Sequence, residues 1–413
     1  MRMAHAAPVL VDTTEDDSVL GFPDSRKLAV DAQGNLYVAY RKRFKLLKTT
    51  RFHIFVSKSS DGGATWQVTN GGRPVEEVGD FVQRVPSIAV DADDVIHVIW
   101  YGTDAQFSGT NERQIKYVQS ADGGASWSMW RNIGPVMGYA DDALWQEHPV
   151  IHIDAQNNLF VAWQGRDADY EEKSQIKWSR STDGGVTWSA WRNISADPAR
   201  SFSRPALLST PDGQLYALAY ADGQRGMRIL WTRSDDDGAT WQEWAMVAPG
   251  QRDQRHFSAA VDQQGQIHLA WRQMAEADAA PGATLIHYAR YDGRAWGKAA
   301  PVAPLSSPDT PRYQFFPTLT LDAQDSPWLA WLETVDPSGY PQEKPITGAI
   351  RYATSVQAGW RTPQILAQGA ALYPSFAYPD QHRLASSLPL LVWEERRADA
   401  EVQILFADLF LNP

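Results

Sequence analysis

Three arginines occupy the same kind of position along the chain, each just before a short apolar segment. They are Arg84, Arg204 and Arg255. A guanidinium group binds a carboxylate or a sulfate through two parallel hydrogen bonds, so these arginines, if brought together, would form a site for an acidic ligand. The alternative is that they form ordinary ion pairs with Glu147, Glu333 or Glu394.

Two histidines share this position and add a second kind of chemistry. His148 and His256 also stand directly before apolar segments. Two imidazoles at one site could act as a proton-transfer pair, as in a polysaccharide lyase. The remaining histidines include His97, His152 and His268, which lie inside alternating segments where a packed position is favoured over a metal-binding one.

The composition argues against several classes of function. Lys and Arg total 38 against 49 for Asp and Glu, and the resulting net charge of −11 disfavours a nucleic-acid binder. The absence of cysteine excludes disulfides, thiolate catalysis and Cys-ligated zinc. No phosphate loop, HExxH pair or nucleophile elbow occurs. We therefore expect no cofactor and no metal, and we interpret the acidic segment 167–172 as a solvated loop rather than a Ca²⁺ site.

The sequence leaves the location of the protein open. No apolar run approaches the roughly 18 residues of a membrane span. Residues 1–17 lack an apolar core long enough for a signal peptide. An extracellular or cell-surface location is favoured if a leader has been removed, and a cytoplasmic one otherwise.

A repeat organises nearly the whole chain. A short strand, a polar turn and a second strand ending in an aromatic residue recur, as in residues 86–100 and 149–163. The alternation of Ile, Val and aromatic residues with polar ones is typical of β-strands. The closing aromatic residues are separated by 60, 63, 57, 51, 60 and 62 residues; they are Tyr40, Trp100, Trp163, Tyr220, Trp271, Trp331 and Trp393.

A second motif alternates with the first. It reads SSDGGATW at 59–66, SADGGASW at 120–127, STDGGVTW at 181–188 and SDDDGATW at 234–241, with degenerate copies ending at Trp296 and Trp360. In each copy, Asp can bond its own turn backbone and Gly tolerates a positive φ, so the motif itself is predicted to be structural. It is an Asp-box, and the chain resembles the BNR/Asp-box repeat superfamily, which includes the sialidases.

Four short strands per unit and no helical periodicity predict an all-β fold. Units repeated around a channel form a β-propeller, and we predict one domain over residues 1–413, a seven-bladed β-propeller of four-stranded antiparallel blades. The last unit lacks its outer strand, so we expect an N-terminal strand at 7–12 to close the last blade. The predicted blades span 26–80, 84–140, 148–200, 204–252, 257–308, 316–370 and 373–413.

The resemblance to sialidases implies specific roles. Those enzymes use three arginines to bind the substrate carboxylate, an Asp as acid and base, and a Tyr nucleophile activated by a Glu. Arg84-Val85-Pro86 and Ser203-Arg204-Pro205 resemble their motifs. The resemblance therefore implies that Arg84, Arg204 and Arg255 bind the carboxylate, and that Asp104 is the acid. The nucleophile stays open among Tyr101, Tyr170, Tyr220 and Tyr373.

The repeat geometry places these residues at the channel mouth, on the face opposite the Asp-boxes, where the loops vary in length and sequence. There we expect Arg166, Glu147 and Tyr373 to contact substrate and His148 to join Tyr101 and Asp104 in catalysis.

These features predict a carbohydrate ligand, acidic if the arginines converge. If the protein is an enzyme, the resemblance favours a glycoside hydrolase of exo-sialidase type over a polysaccharide lyase. A non-catalytic, lectin-like glycan-binding ring and a protein-interaction scaffold remain alternatives, because one fold serves many functions. A protein partner therefore also stays open.

Overall fold

The fold is all-β, as the sequence predicts, and it contains a single short helical turn within the part described. The computed structural model describes residues 7–15, 19–21, 25–109, 112–135, 144–223, 226–249, 253–274, 283–303, 312–336, 346–356, 359–377, 389–397 and 401–409. The helical turn α1 spans Thr69–Gly72.

Twenty-eight strands follow one another along these residues. They are β1 (Val9–Thr14), β2 (Leu28–Val30), β3 (Leu36–Lys45), β4 (Thr50–Ser59), β5 (Gln67–Val68), β6 (Gln83–Val90), β7 (Ile96–Gly102), β8 (Gln114–Ser120), β9 (Arg131–Asn132), β10 (Gln146–Ile153), β11 (Leu159–Asp167), β12 (Tyr170–Ser181), β13 (Arg192–Asn193), β14 (Phe202–Ser209), β15 (Leu215–Ala221), β16 (Arg228–Ser234), β17 (Ala245–Met246), β18 (Gln254–Val261), β19 (Ile267–Met274), β20 (Thr284–Tyr291), β21 (Ala300–Pro301), β22 (Tyr313–Leu321), β23 (Pro327–Thr334), β24 (Ile346–Val356), β25 (Gly359–Trp360), β26 (Gln364–Phe376), β27 (Leu390–Arg396) and β28 (Val402–Asp408).

The strands pair into repeated antiparallel units. Four separate four-stranded sheets comprise unit 1 (β2–β5), unit 2 (β6–β9), unit 3 (β10–β13) and unit 4 (β14–β17). Unit 5 (β18–β21), unit 6 (β22–β25) and unit 7 (β26–β28 with β1) follow the same order but are joined by further strand pairing. Strand β1 pairs antiparallel with β28, with Val9 opposite Phe406, so the N-terminal strand completes the last sheet as predicted.

One boundary differs from the prediction. The outer strand expected to end unit 6 and the inner strand expected to begin unit 7 are a single strand, β26, which pairs with β24 on one side and β27 on the other. The predicted break between residues 370 and 373 therefore does not exist, because β24 is long enough to give residues 367–371 a pairing partner.

The core lies between neighbouring units. The aromatic residues that close the repeats are buried, and five tryptophans among them have no exposed surface: Trp100, Trp163, Trp271, Trp331 and Trp393. Two of their indole N–H groups donate to a glutamine side chain of the inner strand, from Trp100 to Gln83 and from Trp163 to Gln146, at 2.7 Å in both cases. These bonds satisfy polar groups that burial would otherwise leave unpaired.

The Asp-box is a turn whose tryptophan packs against the preceding unit. In unit 3, Asp183 accepts bonds from the Thr187 hydroxyl and backbone and from the Ser181 hydroxyl, which lower the pKa of Asp183 to about 2. The half-buried Trp188 then packs edge-on against Tyr117 of unit 2, with ring centroids 5.3 Å apart. A Cβ at Gly185 would overlap Tyr117, so only glycine fits at that position.

The same kind of tryptophan packing joins the first unit to the last. Trp66 of unit 1 packs edge-on against Phe406 of β28, with ring centroids 5.4 Å apart. Asp12 of β1 accepts bonds from the Tyr40 hydroxyl at 2.6 Å and from Lys42 at 2.9 Å. Unit 1 therefore contacts unit 7 through the same elements that join other neighbouring units.

Each inner strand from unit 2 to unit 6 contains a β-bulge near its start, and β26 of unit 7 contains one near its end, within its pairing with β27. At the bulge the register shifts, and one residue adopts a positive φ between 46° and 51°. These bulge residues are Val85, His148, Arg204, His256, Phe316 and Tyr373. Five of the six are followed by proline, which is tolerated because the ladder is interrupted there and no N–H is required. Such backbone strain costs on the order of 1–3 kcal/mol per residue and is typical of functional sites.

Candidate functional site

The starts of the inner strands of units 2, 3 and 4 bring several of the predicted residues together. In the β6–β7 pair, Arg84 lies opposite Tyr101. Arg84 is exposed, and its guanidinium forms neither a hydrogen bond nor an ion pair with any residue that the structure describes. It nevertheless lies close enough to Glu147 of unit 3 to interact with it electrostatically. Arg84 is thus a positive group available to a ligand.

Glu147 is the centre of this arrangement. Its carboxylate forms an ion pair with Arg113 at 2.6 Å, and it is only 15% exposed. Burial raises the pKa of Glu147, while the charges of Arg113, Arg84 and Arg204 oppose that rise. Three positive charges around one carboxylate leave a local excess of positive charge, which favours an acidic ligand.

His148 and Tyr101 border the same carboxylate. Their rings are tilted, with centroids 5.5 Å apart. Burial, together with the nearby charge of Arg204, holds the pKa of His148 well below its usual range, so the imidazole is neutral. Burial and the charge of Glu147 raise the pKa of Tyr101 to about 12, so the phenol keeps its proton at neutral pH. We call Arg84, Tyr101, Arg113, Glu147, His148 and Arg204 the Glu147 cluster.

Arg204 extends the cluster toward unit 4. It is partly exposed, and its backbone N–H donates to the side chain of Gln164 at 2.8 Å, which joins the bulge of unit 4 to unit 3. Its positive charge acts to lower the pKa values of Glu147, of His148 and of His256 in unit 5. Arg204 therefore lies between the bulge residues on either side of it.

Arg255 differs from the other two predicted arginines. Its Nε donates to both oxygens of Asp253 at 3.0 Å, and Arg272 approaches the same carboxylate at 3.9 Å. The charge of Arg255 helps to lower the pKa of His256. The charges that act to lower the pKa of Glu147 are instead those of Arg84, Arg113 and Arg204. Of the three predicted arginines, Arg84 and Arg204 thus share the surroundings of Glu147, and Arg255 is engaged by Asp253.

Asp104 does not have the surroundings of a general acid. It is buried, and its carboxylate binds Lys116 and Asn132 and accepts the backbone N–H groups of Gln106 and Phe107. Burial opposes ionisation, but the bonds from Lys116 and the other donors outweigh it and lower the pKa of Asp104. A general acid must hold a proton near neutral pH, so we assign Asp104 a structural role.

The next unit repeats this arrangement, which supports the structural assignment. Asp167 is buried and binds Lys177 and Asn193 as Asp104 binds Lys116 and Asn132. Two units with the same trio of side chains indicate a feature of the repeat. The interpretation of segment 167–172 as a solvated loop is therefore wrong for Asp167, which is buried.

Tyr373 and Arg166 lie outside the Glu147 cluster as far as the described contacts show. Tyr373 is fully buried and packs edge-on against Phe316, with ring centroids 5.0 Å apart. The expected contact between Tyr373 and a substrate is therefore not possible in this structure. Arg166 is partly exposed and lies over the ring of Trp145, 5.6 Å from its centroid. This pair is a cation–π contact at the edge of unit 3.

Arg113 is a member of the cluster that the sequence did not indicate. This residue lies at the start of β8, the third strand of its unit, and its carbonyl accepts the backbone N–H of Gln146. The signal that identified the other arginines was a position before an inner strand, which Arg113 does not have. Only the pairing of units 2 and 3 brings it to Glu147.

Other kinds of site are not found among the described residues. Within those ranges, no group of three or more His, Asp or Glu side chains is arranged to hold a metal ion. No helix in the same part of the chain has the length and apolar character needed to cross a membrane.

Comparisons with known proteins extend the sequence resemblance. A family profile described as a BNR repeat-like domain matches residues 136–314. The search of curated proteins gives no significant match.

Solved structures with a similar fold share little sequence with this chain. An ulvan lyase of a polysaccharide lyase family has a TM-score of 0.63 at 13% identity, over 98% of this chain and 96% of the lyase. Trypanosoma rangeli sialidase has a TM-score of 0.51 at 13% identity, over 98% of this chain and 58% of the sialidase. Penicillium chrysogenum α-L-arabinanase has a TM-score of 0.53 at 13% identity, over 80% and 94% of the two chains. The chain thus contains a BNR repeat-like region at residues 136–314, and its fold is similar to those of sialidase-like and other glycan-acting proteins.

Proposed function

We propose that the chain is a seven-bladed β-propeller that binds an acidic glycan at the Glu147 cluster. Seven repeated units support the blade count, and the contacts of unit 1 with unit 7 support closure of the ring. Bulge residues of consecutive units contact one another; the rings of His256 and Phe316, for example, are stacked with their centroids 4.5 Å apart. We therefore expect the bulges to face the channel.

The observation that carries the functional proposal is the state of Arg84. It is exposed and has no hydrogen-bonding or ion-pairing partner in the described structure, although it stands beside Glu147. Arg113 already balances the charge of Glu147. Arg84 and Arg204 therefore add positive charge that a carboxylate or sulfate on a sugar would neutralise, through two-point hydrogen bonds.

One reaction fits this cluster better than hydrolysis by the sialidase route. That route needs an acid where Asp104 stands, and Lys116 holds Asp104 in its ionised form. A neutral His148 beside a protonated Tyr101 instead suits β-elimination from a uronic acid. There, the arginines would bind the carboxylate, a base would remove the proton at C5, and an acid would protonate the leaving oxygen at C4. Lyase activity is therefore our second proposal.

Calorimetric titration with acidic and neutral oligosaccharides tests the first proposal. A charge-assisted hydrogen bond contributes about 1.5–3 kcal/mol, so Arg84→Ala should weaken binding of an oligoglucuronate or a sialyl-oligosaccharide at least tenfold. Arg192→Ala is the matched control, since Arg192 is exposed on the outer strand β13. Equal affinities for Arg84→Ala and the unaltered protein would contradict the proposed binding site.

Two assays then separate binding from catalysis. Elimination creates an unsaturated uronate that absorbs ultraviolet light, whereas hydrolysis of a fluorogenic sialoside releases a fluorophore. We expect the first signal, with His148→Ala abolishing it while oligoglucuronate binding persists. Fluorophore release would show that the hydrolase assignment is the right one, and binding without either signal would identify a lectin.

A further inference from the structure

The turns between the first two strands of neighbouring units are joined by a recurring hydrogen bond. In three of the contacts between units, a side chain at the fourth position of one turn accepts the backbone N–H at the second position of the preceding unit's turn. The pairs are Ala32 N–H to Asp94, Ala92 N–H to Asn157 and Gln263 N–H to Asp325, at 2.7, 2.9 and 3.2 Å. We call this bond the turn bridge.

The turn bridge is missing between units 3 and 4. Gly213 occupies the position of Asp94 and Asn157, so it has no side chain to accept the N–H of Ala155. That N–H has no partner among the residues described. A Cβ at Gly213 would meet nothing within 4 Å, so the space that a bridging side chain would fill is open.

The next contact shows that a missing turn bridge need not leave an N–H group without an acceptor. Between units 4 and 5 the donor position is Pro211, which has no N–H, and Gly265 packs against Thr210 and Pro211. The second position of this turn therefore carries no N–H that needs an acceptor. The contact between units 3 and 4 differs because it keeps the donor and lacks the acceptor.

A cavity of about 370 Å³ lies at this contact. Such a volume is in the range of about 300–1,000 Å³ that small-molecule sites occupy. Its walls are polar and come from the turns of both units, from β12 of unit 3 and from the Asp-box of unit 4; they include Gln156, Asn158, Arg180, Asp212, Gln214 and Asp237. The cavity lies at the ends of the inner strands, whereas the Glu147 cluster lies at their starts, roughly 20 Å away along an eight-residue strand.

The cavity offers both donors and acceptors. Gln214 uses its amide oxygen to accept the Tyr216 hydroxyl, which leaves its NH₂ group for a ligand. Arg180 lies over the ring of Phe160, approaches Asp237 at 3.3 Å and has a buried Nε with no hydrogen bond in the described structure. Alternating donors and acceptors of this kind match vicinal hydroxyl groups, each of which can donate one bond and accept others.

The charges of the cavity exclude an acidic ligand. Asp212, Asp235 and Asp237 line it together with a single lining cation, Arg180. We propose that this cavity is a second binding site, which takes a neutral, hydroxyl-rich sugar unit. An acceptor oxygen of that sugar would take the Ala155 N–H in place of the missing turn bridge. This site does not depend on the Glu147 cluster, which has the opposite charge and lies at the other strand ends.

The decisive variant is Gly213→Asn, which would restore the turn bridge and fill the cavity. Gly213 has a φ of 92°, and Asn is among the residues that best tolerate a positive φ, as Asn157 does at 64°. Gly34→Asn is the matched control, because Gly34 occupies the same turn position in unit 1, has a φ of 81° and also has open space around its Cβ.

Binding is measured by ligand-observed NMR and titration with D-glucose, D-galactose, D-mannose and L-rhamnose. We expect at least one of them to bind the unaltered protein, Gly213→Asn to weaken that binding at least tenfold, and Gly34→Asn to leave it unchanged. Gln156→Ala, at an exposed side chain, provides a second weakened variant should Gly213→Asn fold poorly. Absence of binding by all four sugars, or equal binding by Gly213→Asn and Gly34→Asn, would overturn the proposal.

Discussion

The contact that joins the first unit to the last can be tested within a single Asp-box. Gly62 and Gly63 are adjacent, and both have a positive φ, of 71° and 92°. A Cβ at Gly62 would meet nothing within 4 Å, whereas a Cβ at Gly63 would overlap the ring of Phe406, with two ring atoms at 2.7 Å. Alanine at the two positions therefore creates the same kind of backbone strain but different packing.

The expected magnitudes follow from this difference. An alanine in the left-handed region costs about 1–2 kcal/mol, which is the whole effect expected for Gly62→Ala. Overpacking adds about 1–3 kcal/mol, so Gly63→Ala should destabilise the protein by about 2–5 kcal/mol. The double variant Gly63→Ala with Phe406→Leu should recover part of the loss, since the smaller side chain makes room for the methyl group.

Urea unfolding of the unaltered protein, the three single variants Gly62→Ala, Gly63→Ala and Phe406→Leu, and the double variant gives these free energies, provided that the slopes of the transitions agree. Equal destabilisation by Gly62→Ala and Gly63→Ala would refute the reasoning, because it would mean that Phe406 does not lie on Gly63 in solution. Additive effects of Gly63→Ala and Phe406→Leu would refute it as well.

Three further predictions concern buried charge and the N-terminal strand. Lys116→Met should cost about 3–5 kcal/mol in urea unfolding by leaving Asp104 buried without its cation, and adding Asp104→Leu should recover most of that loss. Burial raises the pKa of Glu394 to about 7, so the folded state holds a proton that the unfolded state has released, and this group lowers stability as pH rises from about 4.5 through 7. Glu394→Gln should therefore gain in melting temperature relative to the unaltered protein between pH 5 and pH 8, and an unchanged difference would contradict the assignment. Deletion of residues 1–14 should lower the melting temperature by several degrees, because β1 is the last strand of unit 7 and Asp12 bonds unit 1; identical melting curves would argue against that role.

Much of the fold could be predicted because its signals are local and repeated. Alternating strands, Asp-box turns and closing aromatic residues recur at nearly constant spacing, and each repeat confirms the others. The continuous strand β26 could not be predicted in the same way. Its middle, residues 367–371, contains Ala, Gln and Gly, which are weak strand formers, and it is extended because it pairs with β24.

The candidate site was predictable only where it follows the repeat. Arg84, Arg204 and His148 were found because they stand at the starts of inner strands. The role of Asp104 depends on Lys116, which lies across a hairpin of unit 2. No local pattern marks Lys116 as its partner, so a resemblance in spacing suggested an acid where the fold has a buried ion pair.

The inner-strand bulges separate what the backbone requires from what the side chain does. The same left-handed conformation is kept with valine, histidine, arginine, phenylalanine and tyrosine at the six positions. The bulge is therefore set by the interrupted ladder and, at five positions, by the following proline, rather than by the residue that carries the strain. Chemistry can consequently change at one bulge while the strands around it stay the same. A protein built in this way can acquire a new ligand by single substitutions at its bulges, without a new fold.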